Sequence, residues 1–156
     1  FHVTVVTQNV DNLHERAGSS HIIHLHGELT KVCSSRDPHN PHYIKELKPE
    51  EYEVKMGDKA GDGTQLRPFI VWFGEAVPEI ETAIRYVEKA DIFVIIGTSL
   101  NVYPAAGLLH YVPRGAEVYL IDPKPVDTHT SRSIHVLRKG ASEGVEELKQ
   151  LLIPAP

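Results

Sequence analysis

The most informative part of the sequence is His-Leu-His-Gly-Glu-Leu at positions 24–29, together with Thr-Gln-Asn-Val-Asp-Asn-Leu-His at positions 7–14. A short run of β-forming residues at 22–25 overlaps the first stretch, and another at 3–6 precedes the second. An α/β sheet places its chemistry at the carboxyl ends of its strands, where such polar clusters occur. We therefore expect the two clusters to lie together at one edge of a sheet.

The length and composition predict one compact domain. A chain of 156 residues, 41% apolar and 24% charged, can bury about two thirds of its unfolded surface. No window approaches the roughly 20 continuous apolar residues of a membrane span, and no signal-peptide pattern opens the chain. We therefore expect a cytoplasmic protein without a membrane partner. The net charge of −5 disfavours nucleic acid as a partner.

Apolar runs typical of strands alternate with helical patterns in the second half of the chain. Residues 91–97 form a continuous apolar run, as expected of a central strand buried on both faces. Further strands are predicted over 115–122 and 135–137, and an amphipathic helix over 142–152 that Ser142 would cap. This alternation predicts an α/β fold with a parallel sheet.

Segment 31–67 differs in character from the rest of the chain. It is polar, rich in turn-forming residues and weakly periodic, which predicts an inserted lobe with one short helix. We expect packing among its apolar side chains to hold this lobe together. These side chains are Tyr43, Ile44, Leu47, Tyr52, Val54 and Met56.

The single cysteine, Cys33, excludes an intrachain disulfide and an all-thiolate zinc site. Asp37, His39 and His42 are further potential ligands in the same segment. Their spacing matches no common zinc site, so we expect no metal.

Three blocks of the sequence resemble the sirtuins, NAD-dependent protein-lysine deacylases, in order and spacing. They are 7–14, then Leu-His-Gly-Glu-Leu at 25–29, then Gly-Thr-Ser-Leu at 97–100 with Val-Tyr-Pro-Ala-Ala at 102–106. The resemblance extends over about residues 3–152. It implies removal of an acyl group, such as acetyl, succinyl or malonyl, from a protein or peptide lysine. Nicotinamide and O-acyl-ADP-ribose would be released.

The resemblance also implies a doubly wound Rossmann-like parallel sheet. Residues 1–30 and 68–156 would form this NAD-binding domain, and 31–67 would be the small inserted lobe. Sirtuins usually hold a zinc ribbon with two Cys-x-x-Cys pairs in that lobe. Here Cys33 stands near the first expected ligand and the other three cysteines are absent.

By resemblance, His26 is the catalytic base and Asn9 a second catalytic residue. Gln8 and Asn9 would face the nicotinamide-side ribose, and Asp11 would lie in the nicotinamide pocket. From the pattern alone, a loop followed by a helix N-cap is the favoured interpretation of residues 8, 9 and 11. His24 is expected to be structural, and the missing side chain of Gly27 would let a ligand approach closely.

Further site residues are implied on the nucleotide and substrate sides. Gly97, Thr98 and Ser99 would form a turn that meets the nucleotide, although a plain strand-to-loop turn would look the same. Asp122, where sirtuins usually have Asn, would contact the adenosine ribose, and Ala141 belongs to a turn on the adenine side. One wall of the acyl-lysine cleft would comprise Val71, Phe73 and Gly74, and the other Leu100, Asn101 and Val102.

The sequence contains no glycine-rich turn of the kind that seats a pyrophosphate. We therefore expect the chain alone to bind NAD poorly, to be inactive and to be a monomer, with the pyrophosphate turn lying upstream of Phe1. Two other functions remain open. One is a non-catalytic module that binds NAD or ADP-ribose, and the other is a protein ADP-ribosyltransferase.

Overall fold

The computed structural model describes residues 1–48, 50, 52–98, 100–128 and 130–153. The chain forms two compact units, Phe1–Ala83 and Ile84–Pro156. The sequence boundary between the two units falls within helix α2 (Ile80–Val87). No helix among the described residues is long and apolar enough to cross a membrane.

The first unit begins with two short parallel strands, β1 (Val5–Thr7) and β2 (Ile22–His24). The helix α1 (Leu13–Arg16) lies in the connection between them. Branched apolar residues favour the extended backbone in both strands. The two polar clusters therefore follow neighbouring strand ends, as the sequence predicts.

The rest of the first unit is built on an antiparallel sheet. Strand β3 (Gly27–Ser34) lies between β4 (Lys45–Glu46) and β5 (Leu66–Ile70), and a bulge interrupts its pairing with β5 between Glu28 and Val32. A single turn of 3-10 helix, Pro41–Tyr43, supplies the short helix expected in this region.

The apolar packing predicted for the lobe is present only in part, with Leu47 buried as expected. Tyr52 and Met56, expected to pack inside it, are 51% and 92% exposed. A fully buried hydroxyl, that of Ser34, instead donates to Asp62 Oδ2 at 2.7 Å. Thr64 donates to the other carboxylate oxygen from its hydroxyl, at 2.7 Å, and from its backbone N–H, at 3.0 Å. Polar contacts to one carboxylate thus join β3 to the loop before β5.

The second unit is a three-stranded parallel sheet. Its strands are β6 (Ile92–Ile96), β7 (Glu117–Ile121) and β8 (His135–Leu137), with β7 in the middle. Helix α3 (Ala141–Leu152) packs its Leu148 side chain with Ile121 and Tyr119 of β7. A seven-residue 3-10 helix, Ala105–Tyr111, precedes β7.

Two details of the second unit differ from the sequence expectations. Strand β6 was expected to be buried on both faces, but Ile96 is 41% exposed and only Ile95 is fully inside. Burial is concentrated in β7, because within this sheet that strand has a neighbour on each side. The N-cap of α3 is Gly140, and Ser142 lies inside the first turn.

Candidate active site

His26 lies in the turn that connects β2 to β3. Its ring is half-buried, and Nδ1 lies 3.1 Å from the backbone oxygen of Gln8. A carbonyl oxygen only accepts hydrogen bonds, so Nδ1 must carry the hydrogen. In the neutral ring this leaves Nε2 as the basic nitrogen, which is what a general base requires.

The second histidine of the motif contacts the next carbonyl along the chain. His24 Nδ1 lies 3.2 Å from the backbone oxygen of Asn9, and Nε2 lies 2.7 Å from Glu15 Oε1. The hydrogen bond from His24 lowers the pKa of the Glu15 carboxyl. Two histidines that are two residues apart therefore bind the backbone of two consecutive residues of the loop after β1.

Backbone contacts fix the rest of that loop. The Asn9 N–H donates to Thr7 Oγ1 at 3.1 Å, and the Leu29 N–H donates to the Val10 oxygen at 2.8 Å. Asp11 Oδ1 accepts from the Leu13 N–H at 3.0 Å, a turn contact just before α1, whose N-cap residue is Asn12 and has no side-chain capping hydrogen bond. The Asn9 side chain is exposed, and its amide has no hydrogen-bond partner among the described residues.

The structure explains the need for glycine at position 27 differently from the prediction. Its backbone has φ +80°, and a Cβ at this position would lie 2.1 Å from the Phe69 backbone oxygen. The space beside Gly27 is therefore taken by strand β5, not kept for a ligand. No sequence pattern marks this approach, because it depends on the pairing of β3 with a distant segment.

The turn after β5 joins His26 through the backbone. The Val71 N–H donates to the His26 oxygen at 2.9 Å. The turn contains the other two residues expected on this side of the substrate cleft, Phe73, which is fully exposed, and Gly74, at φ +90°. The structure thus brings this predicted substrate wall next to the predicted base.

Sequence reasoning missed the ion pair that shapes this turn. Arg67 Nη1 and Nη2 donate to the two oxygens of Glu75 at 2.6 and 2.9 Å, and Nη2 also donates to the Ile70 backbone oxygen at 2.7 Å. Glu75 Oε2 accepts from the Trp72 N–H as well. The Arg67 guanidinium lowers the pKa of the Glu75 carboxyl to about 2. No periodic signal marks such a pair, since its members flank a turn.

The second unit carries the nucleotide-side candidates at the carboxyl ends of its strands. Gly97 follows β6 at φ +61°, and its N–H donates to the Ile121 oxygen at 3.1 Å. Asp122 follows β7, and one of its oxygens accepts from the Lys124 N–H at 2.8 Å, a local turn contact. Ala141 is the first residue of α3, after β8. Ser99 lies outside the described residues.

The remaining substrate-side candidates follow the same turn of the second unit. Thr98 Oγ1 accepts from the Leu100 N–H at 3.3 Å. Leu100 has φ +55°, a left-handed conformation that is uncommon for a bulky residue. Asn101 and Val102 after it are exposed. Each unit therefore carries part of the predicted site on its own strand ends.

His24 and two carboxylates form a group of three potential metal ligands. Single ligand atoms of Glu15, His24 and Glu28 all lie within 4.8 Å of one another. Glu28 Oε2 is, however, 2.6 Å from the Lys31 ammonium, and His24 Nε2 is bound to Glu15. Ion pairs inside the protein account for these contacts. In the lobe, burial raises the pKa of the Cys33 thiol, which opposes the thiolate that a metal needs.

Residues 2–104 match the Sir2 family. Over its whole length the chain is 97% identical to an NAD-dependent protein deacylase of Bacteroides thetaiotaomicron and covers 67% of that protein. It is 46% identical to an NAD-dependent protein deacylase of Helicobacter pylori over 98% of this chain and 64% of that relative. The chain thus spans about two thirds of the length of these relatives.

Solved structures give the same result for the fold. A Sir2 homolog–NAD complex superposes with a TM-score of 0.75 at 35% identity, covering 97% of this chain and 60% of the other. A Sir2–p53 peptide–NAD+ structure superposes with a TM-score of 0.74 at 27% identity, covering 96% and 62%. These matches confirm the predicted sirtuin resemblance and the Rossmann-like α/β fold. The chain belongs to the Sir2 family.

Proposed function

We propose that the protein carrying this chain is an NAD-dependent protein-lysine deacylase. The observation that supports this most directly is the hydrogen bond of His26 Nδ1 to the Gln8 carbonyl, 3.1 Å long. It leaves the opposite ring nitrogen basic, at the edge where two parallel strands end. Relatives of this chain are named as enzymes of this class.

The residues present are compatible with NAD. On the nicotinamide side, the exposed amide of Asn9 offers both a donor and an acceptor. Gln8 is held beside it by its own backbone contact with His26. On the adenosine side, Gly97 adds no side chain to the turn after β6, which leaves its backbone open to a nucleotide. When bound, NAD supplies the ribose carbon that accepts the acyl oxygen, and nicotinamide is the leaving group.

The chain's own residues would orient groups and move one proton. His26 Nε2 would take the proton of a ribose hydroxyl, while the Gln8 carbonyl holds the hydrogen on Nδ1 and keeps the ring in the reactive tautomer. Asn9 and Asp11 would hold the nicotinamide side by hydrogen bonds. We assign the catalytic role to His26 and Asn9 on this basis.

The proposed substrate is an acyl-lysine side chain on an extended peptide. The turn 71–74 presents the exposed Phe73 ring, and an apolar surface of this kind suits the aliphatic lysine stem. Val71 links this surface to His26 through a backbone hydrogen bond. Leu100, Asn101 and Val102 of the second unit remain predicted substrate-binding residues. The monomeric state and the cytoplasmic location remain predictions.

The test is His26→Ala in the protein at the full length of its relatives. Loss of a general base should lower kcat on an acetyl-lysine peptide by about 10²- to 10⁴-fold. NAD binding, measured by calorimetry, should stay within a few-fold of the wild-type value. His42→Ala, an exposed histidine of the lobe, is the matched control and should retain full turnover.

Mass analysis of the peptide separates the remaining functions. A deacylase removes the mass of the acyl group, whereas an ADP-ribosyltransferase adds the mass of ADP-ribose. A non-catalytic module leaves the peptide unchanged and tolerates His26→Ala. Either of the last two results would refute the proposal.

A further inference from the structure

Two histidines bind the loop after β1, and they contact different numbers of hydrogen-bond acceptors. His26 faces one acceptor, the Gln8 carbonyl. His24 faces two, the Asn9 carbonyl at Nδ1 and the Glu15 carboxylate at Nε2. Only a ring with hydrogens on both nitrogens can donate to both of these acceptors. The His24 ring therefore links the Asn9 backbone to Glu15, whereas the His26 ring contacts the Gln8 backbone alone.

We propose that His24 and Glu15 form a positioning pair that holds the Asn9 backbone in place, so that the Asn9 side chain and the His26 ring keep the spacing the reaction needs. This inference rests on the proposed deacylase function. His24 is a positioning residue in it, since the side chain acts through Asn9.

Burial and charge both favour this role. The His24 side chain is 8% exposed, and the Glu15 side chain is 39% exposed. The 2.7 Å contact between His24 Nε2 and Glu15 Oε1 is a short hydrogen bond. Glu15 belongs to α1, so the pair ties the Asn9 carbonyl to the helix that follows the loop.

The remaining charged groups near the pair are compatible with it. The carboxylate of Glu28 completes the group of atoms within 4.8 Å, and the Lys31 ammonium offsets its charge at 2.6 Å. His14 lies on α1 beside Glu15 and adds a further favourable charge to that carboxylate when it is protonated. The local charges therefore stabilise the Glu15 carboxylate that faces His24.

Holding the Asn9 carbonyl fixes a residue that would contact the cofactor. The Asn9 N–H is bound by Thr7 and its carbonyl by His24, whereas its side chain is exposed. Without His24, only the N–H end of Asn9 remains held, and the amide would lose its orientation toward the ribose. A displacement of about 1 Å at a reacting group can cost on the order of 100-fold in rate.

Three substitutions at position 24 separate positioning from general packing. His24→Asn places an amide N–H where Nδ1 lies and preserves the bond to Asn9. His24→Gln places its amide near Nε2 and preserves only the contact with Glu15. His24→Ala removes both. We expect kcat on an acetyl-lysine peptide to fall by about 10- to 100-fold for Ala and Gln, with the peptide KM within two-fold of wild type. Asn should restore most of the rate.

Substitutions of Glu15 test whether the negative charge of its carboxylate is needed. Glu15→Gln keeps an oxygen acceptor but removes the charge, and should lower kcat by a few-fold. Glu15→Ala should lower it further, and in a His24→Asn background it should add little. All assays use the protein at the full length of its relatives, with thermal unfolding measured for each variant and His42→Ala as the control.

Each result has one meaning. If wild type is active and His26→Ala is not, but Ala, Gln and Asn at position 24 all match wild type or all fall equally, the positioning role is refuted while the deacylase function stands. If chelation lowers the rate and a divalent metal restores it, the pair is a metal site and the proposal is wrong. If wild type does not deacylate, the underlying function has failed first.

Discussion

At the scale of single residues, the backbone around His26 leaves little freedom. The Gln8 carbonyl binds the ring, the Val71 N–H binds the His26 carbonyl, and Gly27 follows at φ +80° against strand β5. The position of the predicted base is therefore set by three different segments. A substitution in any of these segments should therefore displace the His26 ring.

Gly27→Ala is the most severe single-atom test of this arrangement. The new Cβ would lie 2.1 Å from the Phe69 backbone oxygen. The alanine would also have to adopt the left-handed backbone conformation, φ +80°, of residue 27. Together the two effects should cost on the order of 3 kcal/mol. Gly18→Ala is the control, since Gly18 has φ +90° with nothing within 4 Å of its added Cβ. It should cost about 1 kcal/mol from the backbone alone.

Chemical denaturation of both variants measures the difference. Equal losses of stability for Gly27→Ala and Gly18→Ala would show that the close approach of β5 contributes nothing.

The sequence predicts some of these residues and misses others for a physical reason. The motif around His26 and the polar cluster after β1 are local, so adjacent residues identify them. The reason for Gly27 and the ion pair of Arg67 with Glu75 arise from chain segments that meet only in the folded protein. The three-dimensional contacts of the candidate site were therefore predictable only where a recurring motif encodes them.

At the scale of elements, the sequence patterns predicted the positions of strands and helices more accurately than the burial of each strand. Strands β6, β7 and β8 and helix α3 lie within a few residues of the predicted segments. The continuous apolar run predicted that β6 is a central strand buried on both faces, yet burial is greatest in β7. Composition reports how apolar a strand is, whereas burial depends on its place in the sheet order.

The packing of α3 on β7 gives a prediction at this scale. Gly144 faces Ile121, and a Cβ added there would lie 2.2 Å from Ile121 Cγ2. Helix propensity alone would make Gly144→Ala favourable by about 1 kcal/mol, but overpacking costs about 1–3 kcal/mol. Because Ile121 is 1% exposed and has little room to move, we expect a net loss of about 1–2 kcal/mol.

Two further variants isolate the cause. Gln150→Ala lies on an exposed position of the same helix and should change stability by less than about 0.5 kcal/mol. Leucine has no Cγ2 branch at Cβ, so Gly144→Ala should cost less in an Ile121→Leu background. A stabilised Gly144→Ala variant would contradict the close contact. Urea titration of wild type, the three single variants and the Ile121→Leu/Gly144→Ala double variant provides the values.

At the scale of the whole molecule, the predicted site residues are divided between two compact units. The first contains His26, Asn9 and one substrate wall, and the second contains the nucleotide-side turns and the other wall. The proposed division into an NAD-binding domain and the lobe 31–67 remains a prediction. So does the weak NAD binding expected of the chain alone. In the first unit, both the lobe and the substrate-side turn depend on an ionised carboxylate.

Those two carboxylates predict how the protein responds to acid. Hydrogen bonds from Ser34 and then Thr64 lower the pKa of Asp62 from 3.8 to about 2, and Arg67 lowers that of Glu75 from 4.5 to about 2. Each group therefore binds protons less readily in the folded than in the unfolded state. It stabilises the fold fully above about pH 5, and this contribution is lost as the pH falls toward 2. The midpoint of thermal unfolding should accordingly decrease steeply between pH 5 and pH 2. Asp62→Asn and Glu75→Gln should each lower the midpoint at pH 7 and flatten the acid decrease, whereas Glu79→Gln, an exposed carboxylate of the same unit, should leave both nearly unchanged. A pH profile as steep in the two variants as in wild type would show that these carboxylates do not hold the lobe and the turn.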